Sequence, residues 1–549
     1  MLVATIRHLL ACALAAALLA APAAAASDPQ NCGTVIVPPG IGAGDGDDIT
    51  SFNPMLVASL YDAEAADLMF MQLIWIDPQH HIDYSRSLAS AVATPDNGTT
   101  FNVALRPWHW SDGVPVTAQD VLYTFNLAKS LGDTWTANGS GGMPDIIKSF
   151  TITDPTHFTI VLKRQVNPDW FILDGLTTLE PVPAHIWRHY TGDQIWQNQS
   201  SPAFFKVVDG PLIVTQLAIG LDAVFVPNPN YEGPKLHLTR FIMKFINGEG
   251  TELQQAQSGD IDMANLPFDL FDLGSHIPGL HLVTLPPGYG YNEFIPNIAN
   301  TEIPYFADVR IRQAMAAAID QNQIIGLAMH GQGLPVYTAV PPVPDTFLSP
   351  AARAGAEPDG YNPARAIALL EQAGFTPGPG GIRQNHGTKL SFTAVLAAGR
   401  PEAIEIAEAV QQNLRAGGID LKVHQIEFNQ LLALLAGPPN GWQAMFIGNT
   451  INAYPSGENG FLTGSFYDQN GYSNKQMDKY INQSTYQPGL DGLFAFEDFS
   501  AVQQPVIFLP DEKYTVIVRD GLHGVDNFIS PLGYWSPDAL YCTDRQATS

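Results

Sequence analysis

Basic residues are scarce in this sequence. Its 549 residues include 26 Lys and Arg against 53 Asp and Glu, so the formal net charge is −27, and only 14% of the residues are charged. Affinity for nucleic acids comes largely from lysine and arginine side chains that neutralise phosphates. The phosphate backbone would repel a chain this acidic, which excludes nucleic acid as a partner. The apolar fraction of 46% is that of a protein with a core and excludes wholesale disorder.

Recognisable catalytic motifs are absent as well. The sequence contains no G-x-S-x-G, no H-E-x-x-H, no P-loop and no G-x-G-x-x-G followed by a predicted helix. Paired carboxylates, which glycosidases use, arise by chance in so acidic a chain. We therefore expect no enzyme activity and no cofactor. A secreted hydrolase of glycans or peptides is the alternative from a different functional class.

Cysteine is rare, with three residues in the whole chain. No cluster at short spacing exists that would suit structural zinc, so no metal is expected. Cys12 lies near the start of the N-terminal apolar run, and its L-L-A-C context resembles a lipoprotein box, but such a box should follow the run, so lipid anchoring is not expected. Cys32 and Cys542 remain at opposite ends of the mature chain. In an oxidising compartment two such residues can pair, which is favoured over two buried free thiols.

Long apolar runs are confined to the N-terminus. Arg7 precedes an apolar stretch from Leu9 to Ala26 that ends in small residues. This pattern predicts a secretory signal peptide over residues 1–26 and a periplasmic protein. A membrane anchor is the alternative, because about 18 apolar residues approach the length that spans a bilayer. The run is rich in alanine and lacks a basic flank, which favours the signal peptide.

Two local patterns have a functional and a structural interpretation. His80 and His81 with Asp83 carry metal-binding side chains, but adjacent residues point in different directions, so a solvated loop is favoured. Trp108 and Trp110 either form a stacking platform for sugar or peptide or pack together in the core. Alternation along a strand would bury both rings on one face, so packing is favoured.

Helical signals strengthen in the second half of the chain. Capping residues followed by apolar positions at helical spacing predict four helix starts, at Thr117, Asp308, Asn362 and Pro401. Apolar strands at 390–396 and 421–426 alternate with the later helices, which indicates an α/β domain there. The sequence thus predicts a mixed, β-rich first half and an α/β second half, with Gly/Pro-rich crossings at 286–290 and 504–511.

A series of segments between residues 51 and 478 resembles, in chain order, one family of proteins. The most recognisable is W-S-D-G-V-P-V-T-A-Q-D-V at 110–121, and others are S-F-N-P at 51–54, P-A-H-I-W at 183–187, Q-S-G-D-I-D at 257–262, N-T-E-I-P-Y-F-A-D-V-R-I-R-Q-A at 300–314 and Y-N-P-A-R-A at 361–366. The family is that of the ABC-importer solute-binding proteins that bind oligopeptides, dipeptides or nickel, the family 5 extracellular solute-binding proteins. Most of these motifs mark turns and helix caps.

The resemblance implies an α/β, two-lobed periplasmic-binding-protein-like fold of type II, in the large cluster with an extra subdomain. Two hinge crossings would join the lobes. The expected division is a first lobe over 27–287 that includes the β-rich subdomain, a second lobe over 288–507, and a return to the first lobe over 508–549. The implied function is capture of a peptide or similar oligomeric solute by hinge closure, for delivery to the ABC permease. A monomer is expected.

The sequence departs from the family pattern in the loop that would bind the solute. Peptide binders of the family hold the α-amine with an aspartate in a G-D-Y-x-D-P-like loop, whereas the corresponding stretch here, 446–456, contains no acid. A buried ammonium without a carboxylate is costly, so an oligosaccharide or a blocked peptide is the alternative. The resemblance and the residue types together give six candidate ligand-binding residues: Asn53, Arg400, Trp442, Asn449, Asn452 and Tyr454.

Overall fold

The computed structural model describes residues 30–41, 48–274, 276–355, 360–465 and 470–543. The predicted signal peptide and Cys12 lie outside the described residues. Strands are β1 Thr34–Val37, β2 Ala89–Ala93, β3 Thr100–Leu105, β4 Ile147–Asp154, β5 His157–Leu162, β6 Leu212–Ala218, β7 Asp222–Pro227, β8 Arg240–Lys244, β9 Met263–Asn265, β10 Leu280–Thr284, β11 Gly290–Pro296, β12 Gly333–Leu334, β13 Thr376–Pro377, β14 Arg383–Asn385, β15 Thr388–Lys389, β16 Ser391–Ala397, β17 Asp420–Ile426, β18 Ala444–Thr450, β19 Ile507–Leu509, β20 Asp511–Glu512, β21 Thr515–Arg519, β22 Leu522–His523 and β23 Tyr541–Cys542.

Helices alternate with these strands mainly in the second half. They are α1 Leu60–Asp67, α2 Ala118–Leu131, α3 Pro168–Trp170, α4 Ala184–Trp187, α5 Gly192–Gln197, α6 Glu249–Ser258, α7 Phe271–Gly274, α8 Val309–Ala318, α9 Gln321–Leu327, α10 Pro350–Arg353, α11 Pro363–Gln372, α12 Pro401–Ala416, α13 Phe428–Leu435, α14 Lys475–Tyr486 and α15 Asp491–Gln503. No helix within the described ranges combines the length and the apolar character needed to cross a membrane.

The predicted helix starts are confirmed, and local capping explains them. At α2 the Asp120 carboxylate accepts hydrogen bonds from the Thr117 backbone N–H (2.8 Å) and hydroxyl (3.0 Å). Asp308 and Asn362 accept from the backbone N–H two and three residues later, which caps α8 and α11. Pro401 occupies the first turn of α12, where no backbone N–H is needed.

Two four-stranded sheets are built from the first half of the chain. One has the strand order β1-β8-β7-β6, with β1 and β8 parallel, and the other has the order β2-β3-β5-β4. Between them the chain forms short helices and a π-helical turn over Phe171–Gly175. This region matches the β-rich first half that the sequence predicts.

The second half contributes a five-stranded mixed sheet in the order β17-β16-β18-β11-β19. Strand β16 runs parallel to β17 and β18, whereas β11 is antiparallel to β18 and β19. Helices α8, α11 and α12 pack on this sheet, and their apolar faces form a core with Phe294, Phe392 and Leu509. The predicted strands at 390–396 and 421–426 correspond to β16 and β17.

After β19 the chain returns to the first region. Strand β21 pairs with β10 on one side and with β9 on the other. Further on, Cys542 in β23 is bonded to Cys32 by a disulfide with the two Cα atoms 5.1 Å apart. The chain thus leaves the first region through residues 285–289 and comes back through residues 510–514, and its last strands lie beside its first.

Candidate functional site

A pocket that is partly open to solvent lies against the loop that follows β18. Residues 449–461 form most of its wall, and Tyr291 and Ala339 also line it. Strand β18 ends at Thr450, and the chain then runs through Pro455 and Gly457, whose φ of 78° favours glycine. The loop is therefore irregular and presents backbone and side-chain polar groups to the pocket.

Residues from the first half of the chain hold this loop in place. The Asp174 Oδ1 accepts a hydrogen bond from the Tyr454 backbone N–H at 2.9 Å. The Nδ1 of His80 lies 2.9 Å from the Ala453 carbonyl oxygen, and Asn167 donates to the Tyr454 hydroxyl at 2.8 Å. The pocket wall is thus fixed by contacts between parts of the chain that are nearly 300 residues or more apart.

Two carboxyl groups lie in or beside the loop. Glu458 lines the pocket, and its Oε1 accepts from the indole Nε1 of Trp170 at 2.8 Å. Burial raises the pKa of Glu458 to about 7. Asp174 is only 4% exposed, and burial raises its pKa well above the ordinary value, with a smaller rise from the Glu458 charge, although the Tyr454 N–H acts in the opposite direction.

A third buried carboxyl group supports β18 from the neighbouring strand. Glu293 in β11 accepts a hydrogen bond from the Asn449 side-chain amide at 2.9 Å. Burial raises the Glu293 pKa to about 7, and the Asn449 donor opposes that rise. The Asn449 amide is therefore held by the protein itself at the edge of the pocket.

Residues 83–473 match the family model described as bacterial extracellular solute-binding proteins, family 5 middle. The chain belongs to this family. The oligopeptide-binding protein AppA of Bacillus subtilis strain 168 is 23% identical over 408 residues, which cover 73% of this chain and 73% of AppA. The resemblance read from the sequence motifs is confirmed.

Solved structures of family 5 proteins give the fold. The structure of Bacillus subtilis AppA in complex with a nonapeptide matches with a TM-score of 0.72 and 22% identity, covering 94% of this chain and 100% of that chain. NikA from Brucella suis in complex with Fe(III)-EDTA matches with a TM-score of 0.77 and 17% identity, covering 93% and 99%. The chain has the predicted two-lobed α/β fold, and it is a solute-binding protein exposed outside the cytoplasm, as the family description states.

Three of the six candidate residues of this family 5 protein meet at the pocket: Asn449, Asn452 and Tyr454. The Asn452 side chain is half-buried and lies close enough to Asp174 to lower the pKa of that carboxyl group. The Tyr454 ring is fully buried with its centroid 5.2 Å from that of Phe347. Tyr454 therefore supports the pocket floor, because its ring face is already covered.

The other three candidates lie in structural positions elsewhere. Trp442 is 4% exposed, and its carbonyl oxygen accepts from the side-chain amides of Asn297 and Asn300. Asn53 is buried, and its Oδ1 accepts from the Met55 backbone N–H in a local turn. Neither side chain lines the pocket beside the loop after β18.

Arg400 has carboxylate partners within the protein. It precedes α12, its Nε donates to Glu402 Oε1 at 2.7 Å, and its Nη2 lies 3.7 Å from Glu512 Oε2. Glu512 also accepts from the Tyr514 hydroxyl at 2.9 Å. The arginine thus links the start of α12 to the segment through which the chain returns to the first region.

The structure decides between the functional and the structural interpretation for the histidine pair His80 and His81 and for the tryptophan pair Trp108 and Trp110. The solvated-loop interpretation is wrong for His80, which is buried with its ring centroid 4.0 Å from that of Tyr289, while His81 is exposed and faces Asp77. Trp108 and Trp110 are both buried, as the packing interpretation predicts. The Trp108 indole donates to the Asp209 carbonyl oxygen at 2.9 Å.

Proposed function

We propose that this protein is the exported receptor of an ABC importer and captures peptides in the pocket beside residues 449–461. The observation that carries the proposal is a pocket wall of irregular backbone, amide side chains and one carboxyl group, which suits the alternating donors and acceptors of a peptide. The name of AppA and its nonapeptide complex support the same solute class. Delivery to a membrane permease, a periplasmic location after removal of residues 1–26, and a monomeric receptor belong to this proposal.

We further propose the lobe division given by the sequence: 27–287 with 508–549 as one lobe, and 288–507 as the other. Its support is that the five-stranded sheet takes all its strands from 290–509, which ends within two residues of the proposed boundary, whereas β21 returns to pair with β9 and β10. Closure of two such lobes on a solute needs only that the solute contacts both walls better in the closed state.

Purified protein should be incubated with mixed peptides and, separately, with cello-oligosaccharides. We expect the peptides to raise the melting temperature and to be recovered intact, because a ligand that binds only the native state stabilises it by about 2.7 kcal/mol at 100 times its Kd. A shift with oligosaccharides alone would show that the solute class is wrong. Steady formation of cleavage products would instead identify a hydrolase.

The pocket position is tested by Asn452→Ala. Loss of one neutral hydrogen bond to the solute is expected to weaken peptide binding about fivefold. Asn230→Ala is the matched control, because Asn230 is exposed and donates to the Ser111 carbonyl oxygen on another part of the surface. Isothermal titration calorimetry with one peptide measures both variants. If both variants weaken peptide binding equally, or if neither variant weakens it, the solute binds at another place on the protein.

For Arg400 we expect little contribution to solute affinity. Its guanidinium already pairs with Glu402 and Glu512, so a solute carboxylate would have to displace a protein carboxylate. Amidation of the peptide C-terminus should therefore change Kd by less than about threefold, both in the native protein and in Arg400→Gln. A large penalty for amidation that disappears in Arg400→Gln would restore the carboxylate-binding role that the sequence suggests.

A further inference from the structure

Side chains of the first lobe reach across to the second lobe beside the pocket. They lie in the segment 164–174, which follows β5, and their partners lie in 454–489. Two of these partners, Tyr454 and Glu458, line the pocket. The wall of the pocket is therefore in direct contact with the other lobe through groups of the protein itself.

Asn167 supplies several of these contacts. Its side chain is fully buried, and its amide nitrogen lies 2.8 Å from the Tyr454 hydroxyl oxygen and 3.0 Å from the carbonyl oxygens of Ser484 and Gly489. Its backbone N–H donates to the Thr485 carbonyl oxygen at 2.8 Å. All four acceptors belong to the second lobe, so the donors of this asparagine face across the boundary between the lobes.

The oxygen atom of the same side chain has its partner within the first lobe. Asn167 Oδ1 accepts from the Asp169 backbone N–H at 3.1 Å and caps α3. One end of the amide is thus fixed by the local turn, and the other end is presented to the second lobe. A buried donor is costly to leave unsatisfied, whereas water would satisfy it after the lobes separate. These hydrogen bonds therefore favour contact between the lobes without preventing their separation.

Arg164 makes a second contact across the same boundary. The central carbon of its guanidinium group lies 3.7 Å from the centroid of the Tyr486 ring, at the end of α14. Arg164 is exposed, and a cation over an aromatic ring at an exposed site gives a modest attraction. The segment 164–174 thus holds the second lobe by one buried and one exposed side chain.

We propose that Asn167 and Arg164 form an interlobe latch, which makes contact when the lobes close and so favours the closed state. The latch lies beside residues that line the pocket, so a solute that holds the loop 449–461 in place also favours the contacts of the latch. Affinity for a solute falls with the fraction of the receptor that is able to close, so a weaker latch gives weaker capture. This inference rests on the proposed capture of peptides by lobe closure.

Asn167→Asp tests the latch, because it keeps the size of the side chain and the Oδ1 cap and replaces the donor by an acceptor. Hydrogen–deuterium exchange followed by mass spectrometry reports on the Tyr454 backbone N–H, which donates to Asp174 in the other lobe. Without solute, we expect the segment that contains Tyr454 to exchange about tenfold faster in the variant, because a carboxylate repels the three oxygen atoms. Exchange in β7 and β16, one interior strand of each lobe, should not change.

Asn228→Asp is the matched control. Asn228 is also buried, its Oδ1 accepts from the Asn230 backbone N–H two residues later, and its amide nitrogen donates to the Gly210 carbonyl oxygen at 2.9 Å. These partners belong to the first lobe, so the control adds the same charge without touching the latch. Equal acceleration at Tyr454 by the two variants, or none by Asn167→Asp, would overturn the proposal. So would an equal acceleration in β7 and β16, since Asn167 would then support the whole fold.

Arg164→Gln weakens the latch at the surface, where the fold is not at risk. We expect about threefold faster exchange at Tyr454. Lys163→Gln is its control, because Lys163 is the exposed neighbour and its loss changes the net charge equally. Small-angle X-ray scattering should show a larger radius of gyration for solute-free Asn167→Asp than for the native protein. Faster exchange with an unchanged radius of gyration would mean local loosening of the loop and would overturn the latch.

A tryptic digest of serum albumin separates the latch from peptide capture. We expect the digest to raise the melting temperature of the native protein, and to raise that of Asn167→Asp less. No rise in the native protein, together with the expected faster exchange in Asn167→Asp, would keep the latch and overturn peptide capture. An equal rise in both proteins with unchanged exchange would keep peptide capture and overturn the latch. No rise and unchanged exchange would overturn both.

Discussion

Replacing Cys32 and Cys542 together by alanine is expected to lower the free energy of unfolding by about 2–5 kcal/mol. The two residues are 510 positions apart, so the bond closes most of the chain into one loop. A cross-link of this span removes much of the freedom of the unfolded chain, and both side chains are fully buried. Alanine is chosen because serine would add a buried hydroxyl group.

Thermal and urea unfolding of the oxidised protein and of the double variant measure this effect. Reductant should shift the native protein toward the stability of the double variant and leave that variant unchanged. The single change Cys32→Ala should equal the double change, because either one opens the loop. Equal stability of the native and double-variant proteins would show that the hydrogen bonds between Gln30 and Cys542 hold the termini without the covalent bond.

Much of the scaffold could be predicted from sequence because its determinants are local. The caps at Thr117, Asp308 and Asn362 act over two or three residues, so the residue types alone mark where α2, α8 and α11 begin. The β-rich first half and the α/β second half follow from apolar periodicity, which is also local. The family motifs were informative for the same reason, since they mark turns and caps.

The candidate site depends on contacts between distant parts of the chain. Asp174 reaches the backbone of Tyr454 across 280 positions, and no sequence pattern announces that contact. Glu458 lies two residues beyond the stretch 446–456, which contains no acidic residue. A comparison with the family loop over a few more residues would have included it. Arg400 and Trp442 have suggestive residue types, but their partners within the protein, Glu512 and Asn300 among them, appear only in three dimensions.

Arg312→Met is expected to lower the free energy of unfolding by about 3–5 kcal/mol. Arg312 is 3% exposed in α8, and within the described residues it forms no ion pair with a carboxylate, although the Asp308 charge acts on it and raises its pKa slightly. Its guanidinium donates to the Phe306 carbonyl oxygen at 2.7 Å and to the carbonyl oxygens of Gln503 at 2.9 Å and Gln504 at 2.8 Å. Burial lowers its pKa to about 10, so it stays charged at neutral pH.

Two of these carbonyl oxygens lie at the C-terminal end of helix α15. Helix α15 ends at Gln503, and Gln504 follows with a φ of 43°, a conformation that glycine usually adopts. The last carbonyl groups of a helix have no partner within it, and a cation there also interacts favourably with the helix dipole. Arg312 thus replaces a conventional cap for α15, and methionine would fill its volume while leaving those oxygens buried without donors.

Arg310→Met is the matched control, because the same motif places Arg310 two residues earlier on α8. Its side chain is 44% exposed, and its ion pair with Asp308, at 2.6 Å, is open to water. Exposed ion pairs contribute little to stability, so Arg310→Met should destabilise the protein much less than Arg312→Met. Urea unfolding of both variants shows whether Arg312 stabilises the protein through its buried hydrogen bonds or only through its positive charge. Equal destabilisation would mean that net charge, not the satisfied carbonyl oxygens, explains why α8 carries arginine at position 312.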